Sequence, residues 1–433
     1  MTKSWLIQGG RIIDPSQGID HVGDLVVSDG KISSPGETTP KADYKVIPAE
    51  GLIVCPGFID FHCHLRQPGF EEKETIATGT LAAARGGFTT VCCMPNTDPP
   101  LDNQAAIDYI KAEADASGVI SVLPIGCISK GRKGEGLAEM GELAAAGVIA
   151  YSDDGSPVMN SRLMRQALDY SRTFGLPVID HCEDTVLSND GQMNEGILAT
   201  RLGLRGIPAA AEESMVARDL ALARLTGARL HIAHVSTEGS VELIRCAKEK
   251  GTRVTAEVTP HHLTLTEEEV TGYNTNAKVS PPLRTRRDIE ALIKGLKENV
   301  IDIIATDHAP HAEIDKLCEF ALAPSGISVF ETALGSLMKL VHDGQLTLPT
   351  LIARLTSEPA RIINSDKLGT FKAGAPADIT IFDPEREWVV DTSNFASKGK
   401  NTPLAGSTLK GKVMATIFHG KLVYKDDSVK LEQ

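Results

Sequence analysis

Between residues 57 and 360 the sequence repeats one unit eight times, a short apolar run followed by a longer segment whose apolar residues recur at helical spacing. The runs fall at 58–61, 89–93, 121–125, 148–152, 177–180, 229–233, 253–257 and 302–305. Helical patterns at 73–85, 104–116, 161–173, 211–225, 240–250 and 286–297 lie between them. Eight such β-then-α units predict an α/β fold of the (β/α)₈, TIM-like barrel type. An open doubly wound sheet is the alternative, but the sequence has no Gly-x-Gly-x-x-Gly at a strand–helix junction and no Gly-x-x-x-x-Gly-Lys loop. Parallel strands covered on both faces need aliphatic side chains. The composition agrees: 42% of residues are hydrophobic and only 4% aromatic.

The flanks read differently. Short strand-like runs at 6–13, 24–28, 44–48 and 52–54, and again at 378–382, 413–418 and 421–424, are separated by Gly, Pro and Asp-Pro punctuation. Residues 1–56 and 361–433 are therefore expected to build one small β-sandwich domain from both chain ends, with 57–360 as the barrel.

Lys and Arg number 44 against 57 Asp and Glu, a net charge of −13, which argues against nucleic acid or an anionic membrane as partner. No apolar run approaches the roughly 18 residues of a membrane span. The opening Met1-Thr2-Lys3-Ser4-Trp5-Leu6-Ile7 stops too soon, at Gly9-Gly10-Arg11, for a signal peptide. The eight cysteines include no Cys-x-x-Cys pair, so a thiolate zinc knuckle is not expected. These features together point to a cytoplasmic protein.

The chemistry concentrates where a barrel puts it, at the C-terminal ends of strands. His62 and His64, two apart on strand one, point to one face and can share a cation. Strand four ends in Asp153-Asp154-Gly155, strand five in His181-Cys182-Glu183, strand six in His234-Val235-Ser236 and strand eight in Asp307-His308-Ala309-Pro310-His311. Any one of these suits a helix cap or a satisfied loop; repeated at several strand ends, imidazoles and carboxylates suit zinc or a similar divalent ion. His231, three residues before His234, is expected to face away from it and to be structural. His261 and His262 stand at the mouth of strand seven without an assigned role, and His21, His342 and His419 are read as surface or packing residues.

The motifs Pro56-Gly57-Phe58-Ile59-Asp60-Phe61-His62-Cys63-His64-Leu65-Arg66, Met94-Pro95-Asn96-Thr97, Ser152-Asp153-Asp154-Gly155, His234-Val235-Ser236-Thr237, Pro281-Pro282-Leu283-Arg284 and Ala305-Thr306-Asp307-His308-Ala309-Pro310-His311 are those of a known family. Over essentially its whole length the chain resembles the class I dihydroorotases of the amidohydrolase superfamily. The resemblance implies two Zn²⁺ per chain: His62, His64 and Asp307 on one ion, His181 and His234 on the other, and Asp154 with hydroxide bridging them. Choosing Asp154 over Asp153 rests on the family pattern, since spacing does not decide it. The resemblance further makes Asp307 the catalytic acid–base residue. His64, Arg66, Asn96, Ser280 and His311 become substrate contacts, and Ser325 and Gly326 part of a loop over the substrate. Gln67 stands where many relatives have Glu, and Ser280 where the common pattern has Asn.

The activity implied is reversible hydrolysis of (S)-dihydroorotate to N-carbamoyl-L-aspartate in pyrimidine biosynthesis. Two ions sharing a water would supply hydroxide near neutral pH, and Asp307 would carry the proton to the leaving nitrogen. Implied partners are the small-molecule substrate, aspartate transcarbamoylase and a second copy in a dimer. Other cyclic amidases (hydantoinases, dihydropyrimidinases, allantoinases) resemble the chain but normally carry a lysine on strand four, where 148–152 has none. A non-catalytic scaffold for the transcarbamoylase is opposed by the intact ligand set. A barrel with structural zinc is opposed by six ligands spread over five strands, since structural zinc is usually closed by four.

Overall fold

The computed structural model describes residues 4–33 and 44–432, which leaves the first three residues of the N-terminal segment outside the description. Eight parallel strands form the barrel: β1 (Phe58–Cys63), β2 (Phe88–Cys93), β3 (Ser121–Pro124), β4 (Tyr151–Ser152), β5 (Val178–Asp180), β6 (Leu230–Ile232), β7 (Val254–Val258) and β8 (Ile303–Ile304). β1 to β3 are hydrogen-bonded as one set and β4 to β8 as another. Bridges between Gly126 and Tyr151 and between Cys63 and His308 close the two sets into a ring. Inside it Phe61, Cys92, Met94, Ile125, Ile179 and Ile303 pack as a small core. The outward faces of the strands pack on the helices in a much larger one.

The eight expected strands are all present, with one notable trimming. The run at 148–152 is regular only over Tyr151–Ser152. Ile149 N–H instead donates to Pro124 O at 3.1 Å, and Ala150 O accepts from Gly126 N–H at 3.0 Å, so the start of the run is bonded to β3 out of regular register. Helix starts follow local capping chemistry. The helix Ile76–Arg85 begins after Thr75, whose hydroxyl accepts from Thr78 N–H in a reciprocal capping box, later than the expected start at 73. The helix Glu238–Glu249 begins after Thr237, capped on Ser240 N–H.

Both chain ends join in one eight-stranded sheet. Its order is Lys421–Lys425, Thr408–Phe418, Ile379–Val389, Ile53–Pro56, Trp5–Asp14, Ile19–Ser28, Lys31–Ile32, with Lys45–Pro48 also paired to Trp5–Asp14. Trp5, Ile7, Val27, Ile47, Val54, Ile381 and Ile417 supply its separate core. One expectation fails here. Asp383-Pro384, read as the end of a strand, lies inside Ile379–Val389, where the ladder to Thr408–Phe418 shifts register between Asp383 and Glu387. A bulge accommodates a proline that cannot donate to the ladder. No helix among the described residues is long and apolar enough to cross a membrane.

Candidate functional site

The strand ends bring the six expected ligands together. His62 is on β1 and His64 just past it, while Asp154, His181, His234 and Asp307 follow β4, β5, β6 and β8. All six are buried. Asp154 is the hub: its Oδ1 lies 3.5 Å from His62 Nε2, 3.7 Å from His181 Nδ1 and 3.6 Å from His234 Nε2, and its Oδ2 lies 3.5 Å from His64 Nε2. Asp307 Oδ1 stands 3.0 Å from His64 Nε2 and 3.5 Å from His62 Nε2. His181 Nδ1 and His234 Nε2 are 2.8 Å apart. Asp153, by contrast, turns away and accepts from Ile128 N–H, Ser129 N–H and the Ser129 hydroxyl.

Most of these separations are too long for hydrogen bonds, yet the atoms converge. Two ligands at zinc-like bond lengths and tetrahedral angles lie about 3.3 Å apart, close to what is seen here. His62 Nε2 and Asp154 Oδ1 have no hydrogen-bond partner although buried. Buried polar atoms without partners are rare and call for an explanation. A cation supplies it: His62, His64 and Asp307, and again His62, Asp154 and His234, place one ligand atom each within 4.8 Å of one another. Electrostatics point the same way. Burial by itself disfavours ionised Asp154, but the surrounding imidazoles outweigh it and hold the carboxyl well below its ordinary range. Burial likewise disfavours charged His62, and Asp154, Glu257 and Asp307 override it upwards. The cluster is a field that attracts positive charge, and its residues fit a metal.

The backbone is bent to make this convergence. Arg66, His234 and Asp307 adopt left-handed φ values of 61°, 32° and 45°. Such conformations are uncommon for non-glycine residues and gather at functional sites. Asp307 is set by its neighbour: Thr306 donates from N–H and hydroxyl to the two oxygens of Asp60, at 2.6 and 2.8 Å.

A cavity of about 200 Å³ opens above the cluster, and its wall includes His64, Arg66, Asn96, Asp154, Glu183, Ser280, Asp307, Ser325 and Gly326. Burial lowers the Arg66 guanidinium to about 10, which leaves it a cation at neutral pH, and its Nε–H donates to Pro310 O at 3.2 Å. Asn96 Oδ1 is 2.8 Å from His64 Nδ1. With that oxygen accepting from the imidazole, the amide NH₂ is the group left to face the cavity. At Gly326, φ is +143° and a Cβ would come within 2.9 Å of His311 Nε2 and 2.7 Å of Ala309 O, so only glycine fits. His311 stands behind the wall rather than in it. Burial keeps its imidazole neutral, at about 2, and Nε2 sits 2.8 Å from Ser325 O, so this N–H donates to the loop. The Ser280 hydroxyl lies 3.5 Å from Glu183 Oε2.

The sequence reading passed over three residues. Glu257, on β7, lies 2.5 Å from His62 Nδ1 and 3.1 Å from His231 Nε2. Glu183 lies 3.0 Å from His181 Nε2. Arg132, in the loop after β3, donates to Asp154 O and to the Ser156 hydroxyl. The signal for Glu257 was a single acid at an inward position of an otherwise uncharged strand. His231 does keep out of the ligand cluster, as expected, but it faces the barrel interior and contacts Glu257 rather than packing elsewhere.

Residues 51–240 match the family described as Dihydro-orotase-like. A dihydroorotase of Pelotomaculum thermopropionicum is 54% identical over 422 residues, covering 97% of this chain and 98% of its own. One of Syntrophus aciditrophicus strain SB is 52% identical over 424 residues, covering 98% and 99%. Among solved structures, L-hydantoinase (dihydropyrimidinase) from Arthrobacter aurescens superposes with a TM-score of 0.87 at 24% identity, covering 99% of this chain and 97% of that one. Dihydropyrimidinase from Brevibacillus agri NCHU1002 superposes at 0.85 with 23% identity, covering 99% and 96%. At that identity the likeness is one of fold.

Proposed function

The chain belongs to the dihydroorotase family of the amidohydrolase superfamily, and from that premise we propose that its barrel mouth interconverts (S)-dihydroorotate and N-carbamoyl-L-aspartate for pyrimidine biosynthesis. The observation that carries the reading is that a fixed cation, Arg66, and the Asn96 amide share one cavity with the histidine–aspartate cluster. A cyclic amide bearing a carboxylate needs both.

In this reading His62, His64 and Asp307 would hold one zinc ion and His181 and His234 a second, with Asp154 within reach of both sets of ligands. Bound there, they would supply an activated water and polarise the ring carbonyl. The chain's own residues do the rest. Arg66 offers a planar two-pronged donor to the substrate carboxylate, and Asn96 Nδ2 adds a third N–H. Asp307, a carboxylate kept ionised at neutral pH by the His62 and His64 imidazoles against the cost of burial, takes the proton of the attacking water and passes it to the leaving ring nitrogen. Ring closure retraces the same path. Ser280 and the Ser325–Gly326 turn border the ring, and His311 holds that turn through Ser325 O. A dimer, and association with aspartate transcarbamoylase, are supported by the family resemblance, and co-elution of the purified proteins tests both.

Ultraviolet detection of dihydroorotate consumption by purified, zinc-loaded protein tests the substrate, with hydantoin and allantoin as controls. The expected result is turnover of dihydroorotate alone. Turnover of either control in preference to dihydroorotate would overturn the assignment.

A further inference from the structure

Each histidine of the cluster turns one ring nitrogen inward, and what its other nitrogen does differs. His64 Nδ1 meets Asn96, His181 Nε2 meets Glu183, and His62 Nδ1 meets Glu257 at 2.5 Å, while His234 Nδ1 is without a partner. Glu257 stands out among these partners because it is fully buried and tied to three strands at once. Its Oε1 receives His62 Nδ1–H from β1 and, at 3.3 Å, the backbone N–H of His234 after β6. Its Oε2 receives His231 Nε2–H, and His231 Nδ1 in turn accepts from the Thr255 hydroxyl at 2.8 Å.

The tautomers follow from this chain. With Thr255 donating to Nδ1, His231 carries its proton on Nε2 and must give it to Glu257. Glu257 Oε1, 2.5 Å from His62 Nδ1 and already receiving the His234 N–H, is an acceptor at this spot and places the His62 proton on Nδ1. Nε2 thereby faces the gap between Asp154 and Asp307, where it has no other partner and would be the ligand atom for a bound cation.

We propose that Glu257 is a positioning residue for the metal centre: through His62 Nδ1 it sets the orientation and tautomer of one ligand, and through His234 N–H it sets the strained turn that presents another. The assignment rests on the reading of the cluster as a metal site, and it deepens that reading without depending on the substrate. Carboxylate partners of metal-binding histidines raise ligand basicity, and their loss typically costs about 10- to 100-fold in metal affinity.

The test is a zinc titration of the metal-stripped full chain in competition with a chromophoric chelator, comparing wild type, Glu257→Gln and Glu257→Asp, with thermal melting of each apo-protein alongside. Glu257→Gln is expected to bind zinc about 10- to 100-fold more weakly. A purely structural role would lower the apo melting temperature and leave the affinity of the folded protein unmoved. Glu257→Asp keeps the charge but withdraws it from His62, and weakens binding in the same direction should the glutamine variant not fold. Zinc affinities within twofold of wild type in a folded variant overturn the proposal. Nitrogen-15 spectra of wild-type protein give a check that needs no folded variant: His62 is expected as the Nδ1–H tautomer, and an Nε2–H tautomer overturns the proposal. Loss of zinc affinity in a chain that leaves dihydroorotate untouched would sink the function and keep the assignment. The converse pattern would keep the function and sink the assignment.

Discussion

The barrel mouth and the sheet built from the chain ends differ in how they bury charge. Among the described residues of the sheet domain the buried carboxyls are Asp14 and Asp378; both oxygens of Asp14 are answered by donors around it, while Asp378 has one oxygen answered and one without a partner. Asp14 accepts from Ser16 N–H, Gln17 Nε2 and Phe371 N–H, and Asp378 from His419 N–H. In the mouth, four imidazoles and two carboxylates face one another across gaps, with partnerless atoms and left-handed backbone at His234 and Asp307. The first pattern closes a structure. The second leaves buried polar atoms without partners, which costs free energy that a bound cation would offset. Mutations in the two regions should therefore separate cleanly into loss of chemistry and loss of stability.

The sharpest separation comes from Asp307→Asn, which keeps shape and one ligand oxygen but removes the proton carrier. Turnover of dihydroorotate should fall by about 10²–10⁴ while most of the metal stays bound and the melting temperature barely moves. A variant retaining more than a tenth of the wild-type rate would show that Asp307 is not the acid–base residue. The counterpart in the sheet is Ile381→Ala, at a fully buried position paired with Val54 and Ala415. It should cost about 2–5 kcal/mol of stability and leave kcat/KM of the folded enzyme unchanged. Kinetics that follow the stability loss would mean that the two regions are coupled.

Arg66→Lys is milder. The charge remains but the two-pronged geometry is lost, so KM for dihydroorotate should rise about tenfold with metal content unaltered. Unchanged kinetics would place carboxylate recognition elsewhere. The smallest effect on turnover is expected at Asp378, whose carboxyl burial raises to about 6. Because its pKa is higher folded than unfolded, its ionisation destabilises the fold as pH rises from about 4 to about 6. Asp378→Asn should therefore gain on wild type between pH 4 and pH 7, by about 2 kcal/mol in melting experiments. A difference that does not change with pH would contradict the assignment of that buried charge.

The two regions were also unequally legible in the sequence. Strand spacing made the barrel readable, because buried parallel strands must be apolar runs and the connecting helices must be amphipathic. Candidate ligands could be proposed because His62 and His64, two apart, share a face of one strand and the others fall at strand ends, although choosing Asp154 over Asp153 took the family pattern. What could not be read is whatever depends on contacts across the barrel. Glu257 was visible only as a single acid near the end of a strand, and nothing local says that it meets His62, 195 residues away. His311 lies in a motif yet stands behind the cavity wall, because the side-chain direction past a strand end is set by the loop. In the sheet, Asp383-Pro384 looks like a terminator, and only the partner strand reveals that the ladder shifts register around it.

In the proposed function Asp154, and not a carboxylated lysine, is the carboxylate that would lie between two metal ions at the barrel mouth. Strand four offers no lysine, and Lys130 and Lys133 lie in the loop after β3, Lys130 in an exposed ion pair with Glu139 at 2.7 Å. An aspartate is anionic without modification. The direct test is reactivation of metal-stripped protein, followed by dihydroorotate turnover, with zinc added in carbon dioxide-free buffer and again with bicarbonate. Full recovery with zinc alone, absent in Asp154→Ala and retained in Lys130→Ala, is the predicted result. Recovery that requires bicarbonate would contradict the account and assign the bridge to a carboxylated lysine.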